Sequence, residues 1–231
     1  GRVAVDNLTL SVGEGEVYGF LGSNGAGKST TIRMLLGILE PDSGSVRVCG
    51  RPVRRGDRAG RALIGAVGET QHFYPEVSCY GYLKYFAALQ GVSNPGLRSE
   101  ELLEEVNLSD RAGDRAVNLS KGLQQKLGLA RALLQDPPVL ILDEPVSGLD
   151  PHGMREVREI ILRQRNSGRL IFFSSHILAE VAMIADRIGV MQQGKLVLEA
   201  TTADALARYG TLEEAFVAVT TGTPKLSVVA S

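Results

Sequence analysis

"EVYGFLGSNGAGKST", residues 16 to 30, decides the fold. Its first part, 16 to 22, is a short apolar run ending in glycine and reads as a strand. Its second part, "GSNGAGKST" from 22 to 30, fits G-x-x-x-x-G-K-[ST] through Gly22, Gly27, Lys28 and Ser29. Residues 28 to 38 then place Ile32, Leu35, Leu36 and Leu39 on one helical face. Strand, glycine-rich loop and helix together are the context in which this pattern cradles phosphate. Ser23, Asn24 and Gly25 form the expected bend, and Ala26 and Gly27 bring the backbone close to an anion. The helix start adds partial positive charge. Lys28 is placed to reach β- and γ-phosphates, Ser29 to ligate Mg2+, and Thr30 to close the loop.

A second stretch completes such a site. "PVLILDE", 138 to 144, reads as a fully buried strand ending in two acids. Ligands of open α/β sheets collect at the carboxyl ends of the strands, where the phosphate loop also lies. Asp143 suits the Mg2+ shell, and Glu144, one residue on, suits polarising an attacking water. "LIFFSSH" carries His176 to the same edge, where it can bond a γ-phosphate or that water. Asp150 closes "SGLD" as a further candidate. His72 and His152 have no such context and read as surface residues. No N-K-x-D guanine-reading motif occurs, which disfavours a small GTPase.

The remaining chain supports one α/β domain. Its 231 residues are 44% hydrophobic, enough for a sizeable core, and a net charge of -1 offers no field for nucleic acid. Cys49 and Cys79 make no disulfide framework, which points to a reducing compartment. No run of eighteen apolar residues is present. Residues 1 to 30 lack a basic start followed by an apolar stretch, so no signal peptide is expected. The first residues begin in strand-like sequence without methionine, as if trimmed.

Residues 3 to 12 alternate as edge strands do, and "SVRVCG" (45 to 50) and "LIGAV" (63 to 67) read as further strands. Helices are expected at 78 to 89, 98 to 106 and 120 to 135, the first two separated by the breaker "GVSNPG". Next come helix 151 to 166, strand 169 to 174, helix 177 to 184, strands 187 to 191 and 195 to 199, and helices 202 to 208 and 211 to 219. The alternation predicts an α/β fold with a mostly parallel central sheet, an antiparallel β edge and an inserted helical subdomain. The expected domain is 1 to 220, with its core at about 1 to 70 and 136 to 220 and the helical part at about 71 to 135. A loose tail is expected over 221 to 231.

"NLSKGLQQK", 118 to 126, has no catalytic side chain. Ser120 can cap a helix and offer a hydroxyl, and Gly122 admits close backbone approach, so the stretch favours an anion. With the phosphate loop, "LILDEP", "SGLD" and "SSH", it stands in the order and at the distances of an ATP-binding cassette (ABC) ATPase. The chain resembles that family's nucleotide-binding domain from about residue 3 to 220, as a P-loop NTPase. The resemblance implies that Ser120 and Gly122 bind the γ-phosphate of ATP held by a second nucleotide-binding domain, of the same or a different chain. It further implies ATP and Mg2+ as ligands, and a cassette peripheral to the cytoplasmic face of the cell membrane, powering export through an integral membrane subunit.

The chain departs from the family pattern in three places. Lys121 replaces a glycine and Leu123 a glutamine, as in exporter cassettes and their lipid-transporter relatives. Glu69 takes the usual glutamine place, with Gln71 two residues late; the carboxylate can contact Mg2+. No aromatic precedes Tyr18, which belongs to a strand, so the usual adenine-stacking ring is not found in these residues, and ATP binding without it is expected to lose about 1 to 2 kcal/mol.

Phe73, Tyr74, Tyr80, Tyr82, Tyr85 and Phe86 place six aromatics within fourteen positions. Most read as subdomain core. Phe73, Tyr74 and Glu76 are the expected lining of a groove for the membrane subunit. The alternatives are an import ATPase, and a non-transport cassette acting on ribosomes or DNA. Against the DNA type, Lys28 and Ser120 are only 92 residues apart (120 minus 28), with no heptads between them.

Overall fold

The computed structural model describes residues 3–222. β1 (Val17–Gly22) is buried along its whole length and runs into α1 (Lys28–Leu35). β2 (Arg47–Val48) and β3 (Arg51–Pro52) form a small antiparallel hairpin, followed by the single turn α2 (Arg58–Arg61) and by β4 (Ile64–Val67). α3 (Cys79–Leu89), α4 (Pro95–Glu105) and α5 (Lys121–Ala132) separate β4 from β5 (Val139–Asp143). α6 (Pro151–Asn166), β6 (Leu170–Ser175), α7 (Leu178–Ile184), β7 (Arg187–Gln192), β8 (Lys195–Thr201), α8 (Thr202–Tyr209) and α9 (Leu212–Thr221) complete the order.

Six strands lie in the order β4-β5-β6-β1-β7-β8. All neighbours are parallel except β7 and β8, which pair antiparallel at one edge. The sheet is therefore mostly parallel, as expected, and its central strands read as unbroken apolar runs because both faces are covered. On one face Leu21, Leu140, Leu142, Phe173 and Val190 pack against helices. On the other, Tyr18 stacks on Phe172 with ring centroids 5.5 Å apart, beside Phe20 and Ile32. Tyr18 is wholly buried, and its hydroxyl donates to Glu199 Oε1 at 3.1 Å. Burial pushes this phenol's pKa far up, and the Glu199 carboxylate adds to the rise.

Several boundaries differ from the sequence reading. Residues 3–12 form no strand. Leu8, Leu10 and Val12 pack against the core as their alternation suggested. The antiparallel edge is instead supplied by β8, and Asp6 N–H donates only to the Gly194 carbonyl in the β7–β8 turn. Alternation reports one-sided burial; a strand also needs a ladder of backbone hydrogen bonds to a neighbour. "SVRVCG" breaks at Cys49 and Gly50, both at positive φ, into the β2–β3 turn. "GVSNPG" separates α3 from α4 as expected, but the second helix begins within it. Pro95 opens α4 at its first position, where its missing N–H costs nothing. α9 reaches Thr221, and the expected tail from 223 onward lies outside the described residues.

Candidate functional site

The carboxyl ends of β1, β5 and β6 bring the sequence-selected residues to one edge. Gly22 ends β1 beside Met191, and the loop to Lys28 returns across the top of the strand. Gly25 and Gly27 lie at φ 80 and 113. A Cβ on Gly27 would stand 2.6 Å from the Ala4 carbonyl oxygen, so the position admits no side chain. Ser23, Asn24, Gly25, Gly27, Lys28, Ser29 and Thr30, with Ala4, line a cavity of about 290 Å3. Ala26 is buried beneath the loop. Lys28 is buried, and its Nζ donates to the Gly22 carbonyl at 2.6 Å and the Ser23 carbonyl at 3.5 Å. This keeps the ammonium along the loop's inner wall, where an anion in the cavity would meet it.

Asp143 closes β5, in register with Ser174 of β6. Ser174 Oγ donates to Asp143 Oδ1 at 2.6 Å and accepts from Glu144 N–H at 3.0 Å. Glu144 has φ 52, a left-handed conformation that costs a non-glycine residue about 1 kcal/mol or more. The Ser174 hydroxyl and carbonyl both hold its N–H, the carbonyl at 3.2 Å. The turn aims the Glu144 carboxylate at His176, whose Nδ1 shares a hydrogen bond with Oε2 at 2.7 Å. Glu144's side chain is 10% exposed and that of His176 57%. A shielded carboxylate thus faces a ring that stands largely in solvent.

Ser174 was missed in the sequence. The signal was there: a serine in the last positions of the apolar strand "LIFFSS", wholly buried, needs partners for its hydroxyl.

Glu69 is exposed, two residues past Val67, and β4 pairs Val67 with Leu142, so it shares the edge with Asp143. Gln71 turns away: its amide donates to the Gly68 carbonyl at 2.7 Å and lies against Gly128 of α5. Ser120 caps α5, accepting from Leu123 N–H at 3.4 Å, and Asp150 caps α6, accepting from Gly153 N–H at 2.6 Å. The two helix starts adjoin, since a Cβ on Gly122 would stand 3.8 Å from Gly153 Cα. No contact joins Ser120 or Gly122 to the phosphate loop among the described residues. Lys121 lies across Gly148, whose added Cβ would come 2.6 Å from Nζ. His152 is exposed, as expected, and His72 also faces solvent.

The donors suit Mg2+. Ser29 is exposed at the cavity, Asp143 has one oxygen committed to Ser174, and both offer hard oxygens. Among the described residues no three or more His, Cys, Asp or Glu side chains form a metal cluster.

Tyr85 and Leu89 of α3, and Tyr74 in the loop that precedes it, stand exposed between β4 and β5. Tyr74 and Tyr85 meet edge-on at 6.4 Å, whereas Phe73 turns inward onto Tyr82 at 5.0 Å. Glu76 pairs with Arg115 at 2.9 Å.

This edge, with its glycine loop, buried lysine and acidic strand end, defines a P-loop nucleotide-binding protein. The family described as "ABC transporter" matches residues 5–147, and the chain belongs to that family as an ATP-binding cassette, an ABC ATPase domain. It is 43% identical over 199 residues to the Bacillus subtilis (strain 168) "Uncharacterized ABC transporter ATP-binding protein YhcH", covering 85% of this chain and 65% of that protein. It is 41% identical over 199 residues to the Bacillus licheniformis "Bacitracin transport ATP-binding protein BcrA", covering 85% and 64%. The chain thus spans less than two thirds of the length of these relatives. A solved structure titled "Structure of ATP binding subunit of ABC transporter" superposes with a TM-score of 0.83 at 31% identity, over 94% of this chain and 92% of that one. Among the described residues no helix is long and apolar enough to cross a membrane.

Proposed function

We propose that this chain binds and hydrolyses ATP to power export through a separate membrane subunit, the cassette docking on the cytoplasmic face of the cell membrane. The observation that carries the hydrolytic part is the Glu144 carboxylate, held in a left-handed turn by Ser174 and aimed at His176. The phosphate loop from Ser23 to Thr30 binds the triphosphate, with Lys28 meeting its charge. Ser29 and Asp143 would hold Mg2+, with Glu69 at the same edge, and the bound ion would offset phosphate charge. Glu144 accepts a hydrogen bond from the attacking water and draws its proton, and His176 orients water and γ-phosphate.

Ser120 and Gly122 have no contact with this loop, which favours their acting on ATP held by a second cassette. Asp150 faces the same junction through its cap of α6. The working unit is then two cassettes closing head-to-tail on two ATP molecules. We divide the domain of 1 to 220 into a core at about 1 to 70 and 136 to 220, and a helical part at about 71 to 135. Tyr74, with Tyr85 and Leu89 beside it, offers the membrane subunit an apolar face, and Glu76 and Phe73 border it. Transport by the similar BcrA supports the reading, and the signature "LSKGLQQ" supports export.

The test is co-purification from detergent-solubilised membranes of the native host. A polytopic membrane protein at equal stoichiometry is expected. Recovery of ribosomal or DNA-bound partners alone would leave an ATPase without a transport role.

A further inference from the structure

Lys126 is 2% exposed, in the interior of α5. A lysine is almost never buried that fully unless its charge is matched. The match is Glu156 of α6, whose Oε1 lies 3.1 Å from Nζ. His152 approaches the other oxygen, Nδ1 to Oε2 at 3.5 Å, from the solvent side. No proposed step at the phosphate loop, Glu144 or His176 uses this pair.

Its place in the fold is specific. α5 begins at the Ser120 cap and α6 at the Asp150 cap. Near those caps the helices approach through Gly122, Leu149 and Gly153, with no polar contact between the two backbones there. One turn further along α5 the ion pair crosses the same seam. Apolar and glycine contacts let helices slide with little change in energy, whereas an ion pair whose lysine is buried and whose carboxylate is half-buried has one good geometry and fixes register.

We propose that Lys126 and Glu156 are positioning residues for ATP hydrolysis. They hold the starts of α5 and α6 in one register, so that Ser120, Gly122 and Asp150 are presented to a second cassette as one surface. This rests on the reading of Ser120 and Gly122 as a clamp on ATP held across a dimer. The pair has no part in nucleotide binding by its own chain's phosphate loop.

The experiment uses the full chain in a Glu144→Gln background, with Mg-ATP as the probe. Dimerisation is followed by analytical ultracentrifugation, nucleotide binding to the monomer by a fluorescent ATP analogue, and folding by Tm. Removing both charges in K126M/E156M leaves no orphaned ion, so the variant is expected to fold with a Tm near the parent's. It is expected to bind nucleotide within twofold of the parent and to dimerise at least tenfold more weakly. With Glu144 restored, kcat is expected to fall at least tenfold while KM stays within twofold. A folded double variant with parental dimerisation and kcat would overturn the proposal, since restored packing would then suffice. Should the double variant not fold, K126Q keeps a donor toward Glu156 and removes the charge. A three- to tenfold weaker dimer is expected for it, and parental dimerisation again overturns the proposal. A Glu144→Gln parent that binds ATP yet never dimerises would sink the clamp reading itself, a separate outcome read before any Lys126 variant is compared.

Discussion

His176 Nδ1 lies 2.7 Å from Glu144 Oε2, across the carboxyl ends of β6 and β5. Two side chains 32 residues apart in sequence thus meet at the sheet's carboxyl edge, to which the neighbouring β1 also delivers the glycine-rich loop. The ring is exposed and the carboxylate shielded, so solvent reaches the pair from the His176 side.

Glu144→Gln keeps the shape and removes the base. Turnover should fall about 100-fold or more, with nucleotide affinity unchanged. Single-turnover assays against equilibrium binding separate the two. An equal loss in both would show that Glu144 serves binding rather than chemistry.

His176→Ala should lower kcat with little change in Tm, because the ring is largely exposed and its side chain bonds Glu144. A drop in Tm matching the loss of activity would instead make the histidine a structural strut.

Ser174→Ala removes the hydroxyl that joins Asp143 to the Glu144 backbone. The expected loss is about 1 to 3 kcal/mol, since the half-buried Asp143 carboxylate loses its donor. Chemical denaturation measures this. Turnover should fall further than stability alone explains, because the left-handed turn at Glu144 loses one of its two restraints.

Alkali should destabilise the fold through Tyr18. Burial, and then Glu199, raise its pKa in the folded state, so the folded chain favours the neutral phenol. Its contribution is fully present below the unfolded tyrosine value of about 10 and is lost as pH rises above it. Burial raises Tyr82 in the same direction, with Arg131 opposing it. Tyr18→Phe should therefore be flatter than the parent in a Tm profile from about pH 9 to 11. Identical profiles would remove Tyr18 from the account.

Lys28→Ala should abolish nucleotide binding measured with a fluorescent ATP analogue. Among the described residues Nζ bonds only the Gly22 and Ser23 carbonyls, so the fold loses little and Tm should move by a few degrees at most. Retained affinity would mean that the backbone alone cradles the triphosphate.

The order of motifs along the chain determined the fold and most of the site. Gly22 to Ser29, Asp143 with Glu144, and His176 each end or succeed an apolar run, and a buried strand delivers the residues at its end to the sheet's carboxyl edge. That relation is local, so it is legible in sequence. Alternation over residues 3–12 was equally legible as one-sided burial, but a strand is made by a ladder of backbone hydrogen bonds to a neighbour, and among the described residues this segment's backbone reaches the β7–β8 turn through the Asp6 to Gly194 bond alone. Only the tertiary structure decided that Ser174 bridges Asp143 and Glu144, that Gln71 turns onto α5, and that Lys126 meets Glu156. Each joins residues 30 or more positions apart or turns on a side-chain rotamer, and such contacts are set by packing between elements, which no local pattern encodes.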